Sequence, residues 1–489
     1  MKVKDFINHI QGSLVCGSLE SESDSIAYDS RKVKNNSLFV AIKGYASDGH
    51  SFINDAITKG ANCVIAQNLP HDHLHDNLTF IKVQNSRKAL AQVAQLFYHS
   101  PSTSLTCVGI TGTNGKTTTC HIVKSIIETQ NVKAGLSGTI HNLIGNRYLA
   151  ASHTTPESLE LQKLLREMVD EGCQYAIIEV SSHALALNRL DGCLLKVAAF
   201  TNFSRDHLDF HGSHDEYFLS KMKIFDYLSR NGSAVINVND PLLKKMVETL
   251  SCPVISCGTG TNALIRAEDV RQQKDGLSMK VITPLGKFTI TSPLVGNTNV
   301  ENILVSIAIA YGLDIDPEAV EKGIREMKLV PGRFERFEMG KGATAIVDYA
   351  HTDDALCRVL IEARSITSKK LITVFGCGGN RDKGKRPLMG KAASELSDLV
   401  IITSDNPRNE EPMDIIHDII TGIKGNHYLV ISDRKEAINE ALTIAESGDT
   451  VVVAGKGHED YQEIKGVRYP LSDREIVKDF FGINEKRIC

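Results

Sequence analysis

A glycine-rich segment at residues 111–117, T-G-T-N-G-K-T, has the residue types and spacing to bind the phosphates of a nucleotide. It lies between an apolar run at residues 105–110, which predicts a strand, and a helical pattern at about residues 117–128. Glycines let backbone N–H groups surround phosphate oxygens, and a helix N-terminus adds partial positive charge. Lys116 can reach the terminal phosphates, and the Thr117 hydroxyl is suited to Mg²⁺. The spacing is a compact variant of the usual phosphate loop, so a glycine-rich turn that caps a helix is the structural alternative.

Two further polar residues follow predicted strands of the same segment. Glu179 ends the apolar run at residues 176–178, and His207 lies just beyond the run at residues 198–201. A carboxylate at a strand end beside a phosphate loop is a natural ligand for Mg²⁺, which takes one or two protein carboxylates together with phosphates and water. Taken alone, Glu179 is equally compatible with a helix cap, and His207 with a hydrogen-bonded loop histidine.

Three loops that follow predicted strands near the C-terminus carry unusual charged residues. They contain Arg381, the segment D-N-P-R at residues 405–408, and the segment at residues 455–459. Strand-end loops of one parallel sheet converge on one crevice. Arginine is suited to bidentate binding of a carboxylate, and a carboxylate is suited to an ammonium group. The loops therefore predict a site for a zwitterionic ligand that involves Arg408 and Glu459, with a solvated turn as the alternative.

Length, charge and cysteine usage limit the class of protein. A chain of 489 residues is too long for one core and indicates two to four domains. The net charge of −4 provides no basic surface for nucleic acid. No apolar run approaches the ~18 residues of a membrane span. The eleven cysteines are scattered without a C-x-x-C pair, as is typical of a reducing compartment. We therefore predict a cytoplasmic protein without a nucleic-acid partner.

Short apolar runs that predict strands alternate with helical patterns along the chain. These runs lie at residues 37–42, 63–66, 79–83, 105–110, 175–180, 198–201, 234–237, 345–348, 371–375, 399–403 and 451–454. Such alternation predicts parallel sheets covered on both faces, with ligands at the carboxyl ends of the strands. The pattern divides the chain into three segments, at residues 1–99, 100–331 and 332–489. The predicted fold class is α/β with three domains.

Several segments together resemble one known family, the Mur ligases, which are ATP-dependent amide-forming enzymes of peptidoglycan precursor synthesis. In chain order these segments are T-G-T-N-G-K-T-T-T (111–119), H-T-T-P-E-S (153–158), E-V-S-S-H-A-L (179–185), N-F-S-R-D-H-L-D-F-H (202–211), G-N-T-N-V-E-N (296–302), P-G-R-F-E (331–335) and D-Y-A-H-T (348–352). Four more resemble the branch that adds the third amino acid of the peptide: D-S-R (29–31), G-C-G-G-N-R-D-K-G-K-R-P (376–387), D-N-P-R (405–408) and A-G-K-G-H-E-D-Y (454–461). The resemblance covers essentially the whole chain.

The resemblance implies a role for each segment of the chain. Residues 1–99 would form a domain that binds the UDP end of UDP-MurNAc-L-Ala-D-Glu. Residues 100–331 would form a central P-loop-type parallel-sheet ATPase domain that binds ATP and Mg²⁺, and residues 332–489 a Rossmann-like domain that binds the amino acid. In the implied reaction, a substrate carboxylate attacks the γ-phosphate of ATP, and an amine then attacks the acyl phosphate.

The resemblance also implies site residues, position by position. The residues implied for ATP are Gly112, Thr113, Asn114, Gly115, Lys116, Thr117, Thr118, Asn302, Arg333 and Asp348. Those implied for the UDP-linked substrate are Ser30, Thr154, Thr155, Ser181, Arg189 and Lys221. Those implied as metal ligands are Thr117, Glu179, His207 and Lys221. Those implied as catalytic are Lys116, Glu179, His207 and Lys221.

Lys221 matches the family lysine that CO₂ carbamylates. A carbamate replaces an ammonium group by a carboxylate-like metal ligand and so inverts its electrostatic role beside Mg²⁺. Without the resemblance, a surface helical lysine is the simpler interpretation. His351 and His207 are the candidates for the base that deprotonates the incoming amine. The chain departs from the family pattern at Asp353, where proline is usual, and at Leu187, where some members place a glutamine on the substrate.

The three C-terminal loops are the implied site of the incoming amino acid. The residues implied are Arg381, Asp405, Asn406, Pro407, Arg408, Gly455 and Glu459. meso-Diaminopimelate carries a carboxylate and an ammonium group at its far end, whereas L-lysine lacks the far carboxylate and would leave Arg408 unpaired. In the family, D-N-P-R also accompanies the addition of diaminopimelate. We therefore predict meso-diaminopimelate, with L-lysine as the alternative.

Three other functions are compatible with parts of the pattern. A folylpolyglutamate-synthase-like ligase would share the phosphate loop and the acyl phosphate, but it would not be expected to carry D-N-P-R together with the N-terminal D-S-R. A P-loop switch or motor ATPase would hydrolyse ATP without a second substrate. A UDP-sugar-binding module would release no phosphate.

Overall fold

The computed structural model describes residues 1–44, 47–68, 78–151, 153–273, 275–338 and 342–482. The described strands form three large sheets that follow one another along the chain, and a separate two-stranded hairpin. Every strand predicted from the sequence is present. No helix in these ranges is long and apolar enough to cross a membrane.

The first sheet has five strands in the order β1-β5-β4-β3-β2, parallel except for β1. Its elements are β1 (Ser13–Cys16), β2 (Ser25–Ala27), β3 (Ser37–Val40), α1 (Ile53–Thr58), β4 (Ala61–Ala66), β5 (Thr79–Lys82) and α2 (Ser86–Phe97). Strands β3 and β4 are buried almost throughout, because apolar side chains pack on both faces of the sheet.

The central sheet has eleven strands in the order β16-β15-β14-β13-β12-β11-β6-β10-β7-β8-β9, and the run from β14 to β7 is parallel. Its strands are β6 (Thr106–Thr111), β7 (Ala134–Ser137), β8 (His141–Ile144), β9 (Arg147–Ala150), β10 (Tyr175–Glu179), β11 (Leu195–Phe200), β12 (Leu228–Asn237), β13 (Val254–Gly258), β14 (Ile265–Gln273), β15 (Gly276–Thr283) and β16 (Gly286–Ser292). Its helices are α3 (Lys116–Glu128), α4 (Ser158–Asp170), α5 (Ser182–Ala186), α6 (Leu208–His211), α7 (His214–Met222), α8 (Pro241–Met246), α9 (Asn297–Gly312) and α10 (Pro317–Arg325). Strand β6, which precedes the loop at residues 111–117, pairs with β10 on one side and with β11 on the other.

The third sheet has six strands in the order β17-β18-β22-β19-β20-β21, and only β17 is antiparallel. Its elements are β17 (Glu335–Glu338), β18 (Thr344–Asp348), α11 (Asp353–Ile366), β19 (Leu371–Phe375), α12 (Lys385–Leu396), β20 (Leu399–Ile402), α13 (Pro412–Ile420), β21 (Tyr428–Val430), α14 (Arg434–Ile444), β22 (Thr450–Ala454) and α15 (Asp473–Phe481). The hairpin β23 (Tyr461–Ile464) and β24 (Val467–Pro470) lies between β22 and α15 in the chain.

Alternate residues of the central strands pack against helices on opposite faces of their sheet. In β6, Val108 and Ile110 belong to one apolar cluster, and Cys107 belongs to the other. In β19, Ile372 and Phe375 are divided in the same way between two clusters. This two-sided burial confirms the predicted parallel sheets and leaves their carboxyl ends as the positions for polar residues.

Candidate active site

The phosphate loop has the predicted strand–loop–helix form. Gly112 and Gly115 have φ angles of +148° and +84°, which favour glycine. A Cβ atom on Gly112 would lie 1.9 Å from the Thr201 hydroxyl oxygen, and one on Gly115 would lie 2.2 Å from Oδ1 of Asn302. Close packing therefore requires glycine at both positions, and the alternative of an ordinary helix-capping turn does not explain it.

Lys116 lies at the start of α3 and turns back over the loop. Its Nζ donates to the carbonyl oxygens of Gly112 and Thr113, at 3.0 and 2.9 Å. Burial lowers the pKa of this ammonium group. A cation whose partners are two neutral carbonyl oxygens is well placed to exchange them for an anion, as a phosphate-binding lysine must.

One cavity, called the nucleotide cavity below, lies between the phosphate loop and the N-terminal part of the third segment. It is lined by all the residues predicted to bind ATP except Gly112. Arg333 lies just before the first strand of the third sheet, β17, and its Nη2 donates to the Thr117 hydroxyl at 3.0 Å. The Arg333 guanidinium also lies 4.6 Å from the ring centroid of Tyr349, and its buried Nε has no hydrogen-bond partner among the described residues. Asp348 accepts backbone N–H groups from Phe334 and Ala350, both at 2.7 Å.

Oxygen ligands suited to Mg²⁺ lie together beside this loop. Glu179 is 1% exposed at the end of β10, and its Oε1 accepts the Thr117 hydroxyl at 3.0 Å and the Thr139 hydroxyl at 2.8 Å. Carboxylate and hydroxyl oxygens are the ligands that Mg²⁺ prefers, so Glu179 and Thr117 fit this ion. Within the described ranges, no cluster of three or more His, Cys, Asp or Glu side chains has metal-binding geometry.

The other two predicted metal ligands have different partners. His207 Nε2 lies 3.2 Å from Oδ2 of Asp206, and burial lowers the pKa of His207 well below its ordinary value. Lys221 Nζ donates to the Gly112 carbonyl oxygen at 2.6 Å. The structure thus brings Thr117 and Glu179 into contact but shows no contact of either with His207 or Lys221.

Lys221 is a buried residue of α7. Its side chain is 1% exposed, and its Nζ lies 4.8 Å above the ring centroid of Tyr217. Burial, with repulsion from Lys116, lowers the pKa of Lys221 well below its ordinary value. The interpretation as a surface helical lysine is therefore wrong, since the side chain is enclosed.

Three of the residues predicted to bind the UDP-linked substrate form one hydrogen-bonded network. Thr155 donates its hydroxyl to the Glu179 carbonyl oxygen at 2.7 Å and accepts the Ser181 N–H at 3.0 Å. Arg189 Nη1 donates to the Thr155 carbonyl oxygen at 2.9 Å, and its Nε lies 3.4 Å from Glu157. This network lies beside the carboxylate of Glu179.

Of the other three residues of that set, Lys221 lies in α7 as described above, and Thr154 and Ser30 lie in two different places. The hydroxyl oxygens of Thr154 and Thr139 lie 3.0 Å apart, and Thr154 lines the nucleotide cavity, as Ser181 also does. Ser30 begins a short 3₁₀ helix, Ser30–Lys32, beside the first sheet, and it does not line the nucleotide cavity. Among the described residues, the structure shows no hydrogen bond between Ser30 and the other residues of this set.

A second cavity lies at the strand ends of the third sheet. Among the residues predicted to bind the amino acid, those that line it are Arg381, Asp405, Asn406, Arg408, Gly455 and Glu459. Pro407 does not line it. The residues that line both cavities are Asp206, His207, Tyr349 and His351. The two cavities therefore meet, as a reaction between their occupants requires.

Charges of both signs lie around this second cavity. Burial opposes ionisation of Asp405, but the neighbouring Lys456 and Arg434 hold its pKa below the ordinary value. Glu459 accepts Lys456 Nζ and Asn406 Nδ2, both at 2.9 Å. The predicted ammonium-binding carboxylate, Glu459, thus already has a cationic partner within the protein.

The two arginines differ in how firmly they are held. Arg381 is 52% exposed, and its Nη1 lies 3.9 Å from Oδ2 of Asp209. Arg408 is 22% exposed, has a φ of +53°, and donates from Nη1 to the Gly379 carbonyl oxygen at 2.8 Å. Arg408 is therefore the more fixed of the two.

Sequence reasoning missed Asp206, Lys456 and Thr139. Asp206 lines both cavities; burial opposes its ionisation, but His207, His351 and Lys385 together lower its pKa. The signal for Asp206 was its position directly before His207, and the signal for Lys456 was its position in the loop after β22. Thr139 has no such signal.

Comparison with known proteins agrees with this geometry. Residues 22–98 match the Mur ligase family catalytic domain, residues 110–310 the Mur ligase middle domain, and residues 332–457 the Mur ligase glutamate ligase domain. A UDP-N-acetylmuramoyl-L-alanyl-D-glutamate–2,6-diaminopimelate ligase from Clostridium tetani is 43% identical over 482 residues, which cover 98% of this chain and 99% of the relative. The enzyme of the same name from Geobacter metallireducens is 40% identical over 504 residues, covering 98% of each chain.

Solved structures show the same relationship. A structure of a UDP-N-acetylmuramoyl-L-alanyl-D-glutamate–2,6-diaminopimelate ligase aligns with a TM-score of 0.66 and 34% identity, covering 94% of this chain and 95% of that one. Folylpolyglutamate synthase from Mycobacterium tuberculosis, with a TM-score of 0.63 and 17% identity over 82% of this chain and 96% of its own, shares the fold alone. The motif resemblance is thus confirmed, and the chain belongs to the Mur ligase family of ATP-dependent ligases.

Proposed function

We propose that this ligase joins meso-diaminopimelate to UDP-MurNAc-L-Ala-D-Glu in peptidoglycan precursor synthesis. The observation that carries the proposal is the second cavity, where Arg408, Asp405 and Glu459 present charges of both signs next to the nucleotide cavity. A zwitterionic end group matches such a lining, and the curated relatives are named for this reaction.

In the first step, a substrate carboxylate attacks the γ-phosphate of ATP, which forms an acyl phosphate and releases ADP. Both reactants are anionic, so the residues around them must neutralise charge and hold the carboxylate in line. The N–H groups of the phosphate loop, Lys116 and Arg333 are positioned to do this. Mg²⁺, held by Thr117 and Glu179 with His207 and Lys221 as further proposed ligands, would supply additional charge neutralisation. Removal of one such electrostatic group typically reduces the rate by about 10²–10³.

In the second step, the amine of the incoming amino acid attacks the acyl carbonyl and phosphate leaves. The amine must lose a proton, and His351 is our candidate acceptor. Burial lowers the pKa of His351 to about 4, so the ring is neutral at pH 7. Its Nδ1 lies 2.9 Å from the Tyr349 carbonyl oxygen, so Nδ1 carries the hydrogen and Nε2 keeps a free lone pair.

We also propose that Lys221 is carbamylated. Its neutral amine would attack CO₂, forming an N–C bond and releasing one proton to solvent. The enclosed position of Lys221 supports the proposal, because a buried neutral amine is the form that reacts.

The same assignment gives the proposed domain limits and location. Residues 1–99, 100–331 and 332–489 would be the domains for the UDP-linked substrate, for ATP and for the amino acid, and each range contains one large sheet. A cytoplasmic location fits substrates that are soluble nucleotides and amino acids.

Phosphate release tests the proposal. The purified chain, with ATP, Mg²⁺ and UDP-MurNAc-L-Ala-D-Glu, should release phosphate on addition of meso-diaminopimelate. Turnover with L-lysine alone would overturn the choice of amino acid. Release without any second substrate would indicate a switch or motor ATPase, and release with folate substrates a folylpolyglutamate synthase; no release at all would favour a binding module.

Arg408→Lys tests the amino-acid cavity directly. A lysine ammonium cannot reproduce the bidentate geometry of a guanidinium. We expect the KM for diaminopimelate to rise about tenfold or more, which is the loss of one charge-assisted hydrogen bond, while the KM for ATP stays within about twofold. An equal effect on both would argue against direct contact.

A further inference from the structure

The hairpin of β23 and β24 lies against the D-N-P-R loop and has no assigned role. Its strands pair with each other rather than with the six-stranded sheet. The loop lies alongside β23 and pairs with it in parallel at one position. The Arg408 N–H donates to the Glu463 carbonyl oxygen at 3.0 Å, and the Lys465 N–H donates to the Arg408 carbonyl oxygen at 2.7 Å. These two bonds give a parallel bridge between Arg408 and Ile464.

Hydrogen bonds that involve side chains also connect the hairpin to Asp405 and Asn406, the two cavity-lining residues before Pro407. Gln462 Nε2 donates to the Asp405 carbonyl oxygen at 2.7 Å. The Glu463 N–H donates to Oδ1 of Asn406 at 2.9 Å, which directs the Asn406 amide group toward Glu459. The hairpin therefore holds the loop at every residue that lines the cavity.

The backbone of Arg408 needs such support. Its φ of +53° lies in the left-handed region, which is unfavourable for a residue with a Cβ atom and persists only where the surroundings impose it. The two backbone bonds to β23 are made by Arg408 itself. Without them, the loop would relax and the guanidinium would move.

The guanidinium of Arg408 is fixed from two sides. Nη1 donates to the Gly379 carbonyl oxygen at 2.8 Å, and Nε lies 3.5 Å from Oε2 of Glu463. The side chains of Arg408 and Glu463 are 22% and 26% exposed, so solvent screens their attraction only in part. A guanidinium has five N–H donors in one plane. With that plane held by Gly379 and Glu463, the remaining donors, including those of Nη2, are free for a ligand carboxylate.

We propose that Glu463 is a specificity-determining positioning residue. It holds the plane of Arg408 so that the free N–H groups meet the far carboxylate of the amino-acid substrate. The inference rests on the proposed function, because it needs a substrate with that carboxylate. Removal of Glu463 should weaken binding of the substrate carboxylate. If Glu463 acted mainly as a competing negative charge, its removal would strengthen that binding instead.

Steady-state kinetics of the full-length enzyme separate these outcomes. In Glu463→Ala, we expect the KM for meso-diaminopimelate to rise about tenfold, with the KM for ATP unchanged and a smaller change in kcat. The preference for meso-diaminopimelate over L-lysine, as a ratio of kcat/KM values, should fall by a similar factor, because L-lysine has no far carboxylate. Glu463→Gln should recover part of the loss, since its amide oxygen can occupy the same position beside Nε.

Two further variants control the experiment. Glu440→Ala makes the same substitution at an exposed position of α14 and should leave all constants unchanged. In an Arg408→Lys background, Glu463→Ala should have little additional effect, because Glu463 acts through the guanidinium.

An unchanged substrate preference in Glu463→Ala, tighter diaminopimelate binding, or a uniform loss with all three substrates would overturn the inference. If the wild-type enzyme itself does not use meso-diaminopimelate, the proposed function fails instead, and the two failures are thus distinguishable.

Discussion

Replacing Arg434 by methionine should remove the cation from a fully buried ion pair that supports the amino-acid cavity. Arg434 begins α14, Asp473 begins α15, and both side chains are 0% exposed. Nε and Nη2 of Arg434 donate to the two carboxylate oxygens of Asp473, at 2.8 and 2.7 Å. Nη2 also donates to the Ala454 carbonyl oxygen at 2.9 Å, and Nη1 to that of Ser404 at 3.4 Å. Those carbonyls directly precede Gly455 and Asp405, so the guanidinium ties two loops of the cavity across the intervening strand β19.

The expected change in the free energy of unfolding follows from this geometry. Arg434→Met leaves a buried carboxylate unpaired, and Asp473→Leu leaves a buried guanidinium unpaired, so each should cost about 3–5 kcal/mol. The double variant leaves no unpaired charge. It leaves two carbonyl oxygens without their donor, at about 1–3 kcal/mol each, but Arg434→Met has the same loss, so this cost cancels in the comparison. The sum of the single effects therefore exceeds the double effect, by a coupling free energy of at least about 2 kcal/mol.

Urea unfolding of the four full-length proteins measures the coupling, and hydrogen–deuterium exchange of residues 399–412 reports on the loop itself. We expect faster exchange of that segment in all three variants, since each removes or frees the guanidinium. A coupling below about 0.5 kcal/mol would refute the reasoning, because it would mean that water reaches the pair and replaces each lost partner.

Three further predictions concern other parts of the molecule. Gly115→Ala places a Cβ atom 2.2 Å from Oδ1 of Asn302 in a left-handed backbone conformation, so the KM for ATP should rise about tenfold; an unchanged KM would contradict the close packing. Lys221→Ala should abolish ligation in the phosphate-release assay but retain nucleotide binding by calorimetry, and near-wild-type turnover would remove the carbamate proposal. Hydrogen bonds from Arg386 lower the pKa of Glu410 from 4.5 to about 2, so this pair stabilises the fold fully above pH 4.5 and loses its contribution as pH falls toward 2. Glu410→Gln should flatten the fall of Tm over that interval.

The sequence predicts those parts of the site that local pattern determines. The phosphate loop is contiguous, so one strand, one turn and one helix suffice to place Lys116 and Thr117. The amino-acid cavity is assembled from separate loops, yet it was also predicted, because the parallel-sheet rule brings the carboxyl ends of β19, β20 and β22 together. The prediction that Arg408 and Glu459 lie in one cavity depends on that rule, on residue type and on the family resemblance.

The unpredicted contacts join ordinary residue types that lie far apart in the chain. Arg434 and Asp473 are charged residues at helix starts, a position that is usually exposed, and only the folded chain shows their burial. Lys456 is likewise an ordinary loop residue in the sequence, but its side chain is buried and its Nζ donates to Oδ1 of Asn406, 50 residues earlier in the chain, at 3.0 Å. Such partners cannot be predicted from local pattern, since periodicity and spacing carry no information about which distant charges meet.

Hydrogen bonds connect the segment that carries the phosphate loop with the segment that carries the amino-acid cavity. Arg333, in the segment just before β17, donates to Thr117 beside the phosphate loop, and Asn114 of that loop donates to Asp354 of α11 at 3.0 Å. A nucleotide that occupies this loop must therefore change contacts made by the segment that carries the amino-acid cavity. Asp206 and His351 line both cavities, so a charge brought into one is felt in the other. We therefore expect binding in the two cavities to be linked through these shared groups, and linkage of this kind acts equally in both directions.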